Sequence, residues 1–326
     1  MADVVVLGQV GRDLVLRVRQ LPDAGRALPA VERREQVGGK GANQAAALAQ
    51  LGVPTALVGV VGDDAAGRQA RAQAAAEGVD ISAVVSRRDA TTALLVDLVE
   101  DGGRRRLVED VPRETLLTPA DVELAVDQIS SCQVLSVQLQ QPGDAVRAAV
   151  EKVPDTALVV TDGAPGDERT RTAVLRRADV VRADAEEAQL LTGRELGGVD
   201  GAREAAAELL TTGARLVALA LGAEGNLVAW RAGPAPGLAA EELDVDPRWA
   251  DGDVVVPLLV SAPVNTTGGG DAYVAALTAA LLGGAGPEDA AWVASAAAAL
   301  TVARLGGRPG LTPAGLRAMV HRHRVG

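Results

Sequence analysis

The feature that most limits what this chain can fold into is a repeated punctuation: short β-branched runs followed by Ala/Leu-rich stretches that close on glycine. The runs occupy residues 4–7, 56–61, 134–139, 158–161, 180–181, 216–221 and 254–259. The stretches at 42–51, 64–77 and 201–212 stop at Gly52, Gly78 and Gly213. Glycine tolerates the left-handed conformation that ends a helix, so each stop reads as a C-cap. Alternating units of this kind predict an α/β protein with a parallel sheet covered by helices, not a β-sandwich. Two longer helices are predicted at 271–282 and 287–305. Pro287 starts the second, and glycine pairs follow both (Gly283-Gly284 and Gly306-Gly307).

Two regions break the rhythm. Residues 14–19 and 32–36, and again 91–100 and 104–109, alternate apolar with polar side chains around Gly/Pro turns or Asp101-Gly102-Gly103. They predict antiparallel strands with one wet face, a small sheet standing off the main body. Residues 231–253 are rich in Pro, Gly and acids and predict an irregular surface insertion. We read the remainder, across all 326 residues, as one domain.

The formal net charge of −11 argues against a surface that collects nucleic acid or anionic lipid. Phe is absent, Tyr occurs once and Trp three times, which leaves little for base stacking. Cys132 is the only cysteine, so no internal disulfide forms, and no Cys/His cluster has zinc spacing. No signal peptide and no long uncharged apolar run is evident, and the expectation is a cytoplasmic protein with neither membrane nor nucleic acid as partner. His321 and His323 in the basic C-terminal tail, and the run Arg104-Arg105-Arg106, read as solvated surface, whereas Cys132 and Trp292 read as core.

Chemistry concentrates in two glycine-rich segments. In Val264-Asn265-Thr266-Thr267-Gly268-Gly269-Gly270-Asp271, placed before a helix, three glycines remove every Cβ from a turn. Backbone N–H groups there can approach an anion, and the helix adds its positive end. Asp271 is either an N-cap or a general base beside a phosphate cradle. The second segment, Gly38-Gly39-Lys40-Gly41-Ala42-Asn43-Gln44, opens the first helix, where Lys40 and Asn43 present donors suited to a polyhydroxyl ligand. No Walker A, G-x-G-x-x-G, G-x-S-x-G or H-E-x-x-H pattern is present.

These two segments, in this order, resemble the signatures of the ribokinase (PfkB) family of sugar kinases, and the similarity runs from Val4 to about Pro309. Gly8-Gln9-Val10-Gly11-Arg12-Asp13, Gly62-Asp63-Asp64-Ala65-Ala66-Gly67, Asp184-Ala185-Glu186-Glu187 and Leu221-Gly222-Ala223-Glu224-Gly225 support it. The resemblance implies a three-layer α/β/α fold with a small antiparallel β lid at about 12–37 and 91–112, through which two copies pair. It implies transfer of the ATP γ-phosphoryl to a primary hydroxyl of ribose or a similar sugar. By the same resemblance Asp271 is the base and Gly268, Gly269 and Gly270 the anion hole. Asp13, Gly39, Lys40, Asn43 and Gln140 bind sugar; Asp184, Glu187, Gly222, Gly225 and Thr266 bind nucleotide; and Glu187 organises Mg²⁺ through water.

The chain departs from the family at several of these positions. Asn265 replaces an Asp that supplies an oxygen to a monovalent cation, so a K⁺ site is carried over without its charge. Gly11, Gln140, Ala220 and Asp184 stand where Asn, Glu, Thr and Asn are usual. The substitutions at the sugar pocket leave the sugar open, and a nucleoside kinase or a non-catalytic sugar- or nucleotide-binding module remains as an alternative.

Overall fold

The computed structural model describes residues 2–233, 246–308 and 310–324. Its strands are β1 (Val4–Leu7), β2 (Gly11–Val18), β3 (Glu32–Gly38), β4 (Thr55–Gly62), β5 (Val84–Arg87), β6 (Ala93–Glu100), β7 (Arg105–Asp110), β8 (Val134–Gln138), β9 (Leu158–Asp162), β10 (Val180–Ala183), β11 (Leu216–Ala220), β12 (Asn226–Trp230) and β13 (Gly252–Val256). They form a nine-stranded sheet, ordered β13-β12-β11-β10-β9-β8-β1-β4-β5, and a four-stranded sheet, ordered β3-β2-β6-β7. In the large sheet every pairing from β5 to β11 is parallel, and β12 and β13 add on antiparallel.

Side-chain alternation explains why the large sheet needs helices on both faces. In β1, Val4 and Val6 enter one core cluster, while Val5 and Leu7 enter the other. The first cluster is completed by helices Lys40–Gln50, Gly269–Leu282 and Pro287–Val302, and the second by shorter helices such as Gly143–Lys152. The result is the expected three-layer α/β/α arrangement.

Helices Gly269–Leu282 and Pro287–Val302 pack directly on each other. Small side chains such as Ala272, Ala276, Ala290 and Ala294 are buried between them and the sheet. Close approach of two Ala-rich helices gives a dense core without large aromatic fillers, which is how a chain without Phe closes its interior.

The small sheet is antiparallel at both outer pairs, β2–β3 and β6–β7, but its central pair β2–β6 is parallel. β2 and β6 follow β1 and β5, two strands of the large sheet that run in the same direction, so they leave it side by side.

Other expectations are corrected. The run at 254–259 ends as a strand at Val256, because Pro257 cannot donate to the ladder. The irregular insertion is shorter than 231–253. Its residues 234–245 lie outside the described residues, Trp249 is buried with the Arg215 guanidinium over its ring, and β13 starts at Gly252. The basic tail is an exposed helix, Pro313–Arg324, and its Arg324 lies over the half-buried Trp292. Helices Pro119–Leu124, Glu168–Arg177 and Ala185–Thr192 escaped sequence reading because they are short, with too few apolar positions to show a helical period. Among the described residues no helix is long and apolar enough to cross a membrane.

Where Ala294 is fully buried, a longer side chain has no space. Ala294→Leu is expected to destabilise the fold by about 1–3 kcal/mol, read as a lower urea midpoint with an unchanged m-value.

Candidate active site

The large sheet grows from β1 to β4 and β5 on one side, and from β8 to β11 on the other. Chain order therefore reverses between β1 and β8, and a crevice opens beyond the C-terminal ends of those strands. A cavity of about 530 Å³ lies there. Gln9, Gln138 and Gln140 reach it from strand ends, Lys40 and Asn43 from one helix start, and Gly268, Gly270 and Asp271 from another. Asp13, Leu95, Asp97, Arg105 and Leu107 of the small sheet roof it.

Asp271 is not an N-cap. The cap position is Gly268, which offers no side-chain bond, and Asp271 lies in the first turn of helix Gly269–Leu282. Its buried carboxylate accepts a hydrogen bond from Asn43 Nδ2 at 3.0 Å. Burial, reinforced by the charge of Asp162, pushes Asp271 up to about 6, with Lys40 opposing. Asp13 is pushed up to about 7, first by burial and then by Asp97, and its Oδ2 has no partner among the described residues.

The glycines of the helix start are required by contact. Gly268 has φ 74°, and a Cβ there would lie 2.5 Å from the Gly307 carbonyl oxygen. A Cβ on Gly270 would lie 2.9 Å from Arg182 Nη2. The bend keeps backbone N–H groups bare at the positive end of a helix, a cradle for an anion.

Lys40 donates to Glu187 Oε1 at 3.0 Å, and Gln140 Nε2 donates to the same oxygen at 2.7 Å. Burial works against the Lys40 charge, but Asp162, Glu187 and Asp271 outweigh it and hold the ammonium above its ordinary value. Glu187 and Asp184 form a capping box at the start of helix Ala185–Thr192. Despite burial, Lys40 and the Asp184 N–H keep the Glu187 carboxyl below its usual range.

Gly39 and Thr266 also line the cavity, as does Asp184. Asn265 lies beneath it and is buried; its Nδ2 donates to the Leu305 carbonyl at 2.8 Å, while Oδ1 accepts from the Thr267 N–H at 3.1 Å. Gly222 and Gly225 are not brought to this cavity. They flank a 3₁₀ turn whose Leu221 and Glu224 face a shallower hollow beside Gly197 and Gly198.

Three site residues were not singled out from sequence, and a fourth, Arg105, was read as surface. Asp162, the last residue of β9, and Arg182, the last but one of β10, form an ion pair at 2.9 Å. Their positions at the C-terminal ends of parallel strands were the available signal. Asp97 receives the Thr267 hydroxyl at 2.6 Å and pairs with Arg105. The reading of Arg104, Arg105 and Arg106 as one exposed face holds only for the outer two, which pair with Glu100; strand alternation turns Arg105 the other way, into the cavity.

Residues 1–314 match the pfkB family carbohydrate kinase model. The chain belongs to that family. It is 30% identical over 311 residues to a protein named ATP-dependent ribose-1-phosphate kinase from Halopiger xanaduensis, with 94% of each chain covered. It is 27% identical over 277 residues to mouse ribokinase, covering 85% of this chain and 80% of the relative. The structure of Arabidopsis thaliana ribokinase complexed with ribose and ATP superposes with a TM-score of 0.75, at 23% identity and 98% coverage of both chains. The protein is thus a carbohydrate kinase, a phosphotransferase with the ribokinase-like fold.

In this kinase Asp13 and Asp271 hold protons more tightly folded than unfolded. The folded chain therefore binds the extra protons between about pH 4 and pH 7, and these groups reduce stability as pH rises through that window. Asp13→Asn is expected to raise the melting temperature relative to wild type more at pH 8 than at pH 5, checked by thermal denaturation at both.

Proposed function

We propose that the kinase transfers the γ-phosphoryl of ATP to a primary hydroxyl of an unphosphorylated pentose or similar sugar. The observation that carries this reading is a buried carboxylate, Asp271, in the first turn behind a side-chain-free bend and facing a roofed polar cavity. Asp13, Gly39, Lys40, Asn43 and Gln140 supply donors and acceptors for sugar hydroxyls. The bend of Gly268, Gly269 and Gly270 receives the phosphoryl group. The proton of the attacking hydroxyl passes to Asp271 as the new O–P bond forms, since the hydroxyl is too weak an acid to ionise first.

Two features favour a neutral sugar. Each lining cation among the described residues, Lys40, Arg105 and Arg182, is already bonded to a carboxylate, and the one open guanidinium edge, that of Arg182, lies against the Gly270 bend. The lining has no aromatic side chain on which a nucleobase would stack, which disfavours a nucleoside. The relative named for ribose-1-phosphate defines the competing substrate.

Asp184, Glu187, Thr266, Gly222 and Gly225 form the nucleotide side of this reading. Among the described residues no group of three or more potential ligands could hold a metal by itself. That fits Mg²⁺ arriving with ATP and keeping most of its waters, with Asp184 and Glu187 as outer partners. Mg²⁺ neutralises phosphate charge when bound. Asn265 does not fit a cation site, because it carries no charge, its oxygen already accepts from the Thr267 N–H and its amide donates to Leu305. Turnover is expected to be the same in potassium and tetramethylammonium salts. A cytoplasmic homodimer joined through the outer strands of the small sheet completes the reading.

The test is coupled ADP release with ribose, deoxyribose, ribose 1-phosphate and ribonucleosides. Free pentose is expected to give the highest kcat/KM; preference for ribose 1-phosphate or a nucleoside overturns the substrate class, and no turnover with any overturns the reading. Asp271→Asn is expected to lower kcat by about 10²–10⁴ while sugar binding persists by calorimetry. The acid limb of wild-type kcat/KM should fall near pH 6, because Asp271 accepts a proton only when ionised.

A further inference from the structure

Arg182 is the penultimate residue of β10, and only 12% of its side-chain surface is exposed. Nη1 is held by Asp162 at 2.9 Å and lies 3.6 Å from Glu187. Asp162 is in turn fixed by Gln44 Nε2 at 3.0 Å, and Gln44 accepts from Ser136 Oγ at 3.1 Å. Nε and Nη2 have no hydrogen-bond acceptor among the described residues, and Nη2 lies 2.9 Å from where a Gly270 Cβ would stand. One edge of the guanidinium is therefore locked, and the other lies bare against the bend.

A buried ion pair gains the fold little, because desolvation offsets the attraction. Two carboxylates nonetheless hold this guanidinium in place, Asp162 directly and Glu187 at 3.6 Å, while Lys40, the other deep cation of the cavity, bonds Glu187. We propose that Arg182 is a further catalytic residue: its free edge contacts the transferring phosphoryl group above Gly270 and offsets the charge on its oxygens. This rests on the kinase reading above. In the step, the sugar hydroxyl gives its proton to Asp271 and forms a bond to the γ-phosphorus. The bond from that phosphorus to the β,γ-bridging oxygen breaks, and its electron pair leaves on ADP. Charge in transit is spread over the three remaining oxygens, where a planar donor fork fixed in advance is most effective.

The test compares wild type with Arg182→Lys, Arg182→Gln and the double variant Asp162→Asn/Arg182→Gln, which leaves no unpaired buried charge. Both Gln variants are expected to lose about 10²–10³ in kcat, with KM for the sugar and Kd for ADP close to wild type. They are also expected to lose the tight complex with ADP, aluminium fluoride and sugar that wild type forms, and Arg182→Lys should recover part of kcat. A folded double variant with wild-type kcat, undiminished aluminium fluoride trapping or a loss confined to KM overturns the assignment. Should neither Gln variant fold, Arg182→Lys decides, and wild-type kcat there overturns it. Absence of transfer by wild type sinks the kinase reading instead, a separate outcome.

Discussion

Five carboxylates, those of Asp13, Asp97, Asp162, Glu187 and Asp271, are buried around one cavity, and the arrangement of the site follows from keeping them there. An unpaired charge in such a place is costly, so cations from distant parts of the chain are drawn in. Lys40 crosses from the first helix to Glu187, Arg182 reaches sideways to Asp162, and Arg105 folds onto Asp97. Asp13 and Asp271 are left without a direct ion pair. Their carboxyls are the ones pushed up, to about 7 and about 6. The same two line the cavity, so in the proposed reaction pairing three acids and leaving two unpaired separates scaffold carboxylates from those able to exchange protons or hydrogen bonds with substrate.

The sequence exposed the architecture well, because buried parallel strands are short β-branched runs and the helices between them end on glycine. It exposed both glycine-rich helix starts for a similar reason: a bend that must bring backbone to an anion, or pass under Gly307, excludes any Cβ. What it concealed is chemistry made by register and by the third dimension. Nothing beside Arg182 in sequence shows that Asp162, 20 residues earlier, is its partner, since parallel pairing of β9 with β10 brings them together only in the fold. Arg105 was hidden inside a run of three arginines whose alternation decides that only the middle one faces inward. The short helices were missed because tertiary packing, not propensity, stabilises them. Asn265 was noticed as a departure, yet its meaning lies in a hydrogen bond to a residue 40 positions away.

The glycine bend, the proposed phosphoryl cradle, is tied to the roof of the cavity at two points. Thr267 donates its hydroxyl to Asp97 of β6 at 2.6 Å. Asn265 holds Leu305 through its carbonyl, and the Leu305 side chain packs with Val15 of β2 and Val99 of β6. A roof that only excluded water would need neither link. With both, the small sheet that roofs the cavity also sets the geometry of the bend, so displacing it would loosen the bend while opening the cavity to water. In the proposed reaction, water that entered with the roof displaced would meet ATP beside an anion hole no longer held in shape, which favours transfer to sugar over hydrolysis without any residue that recognises water.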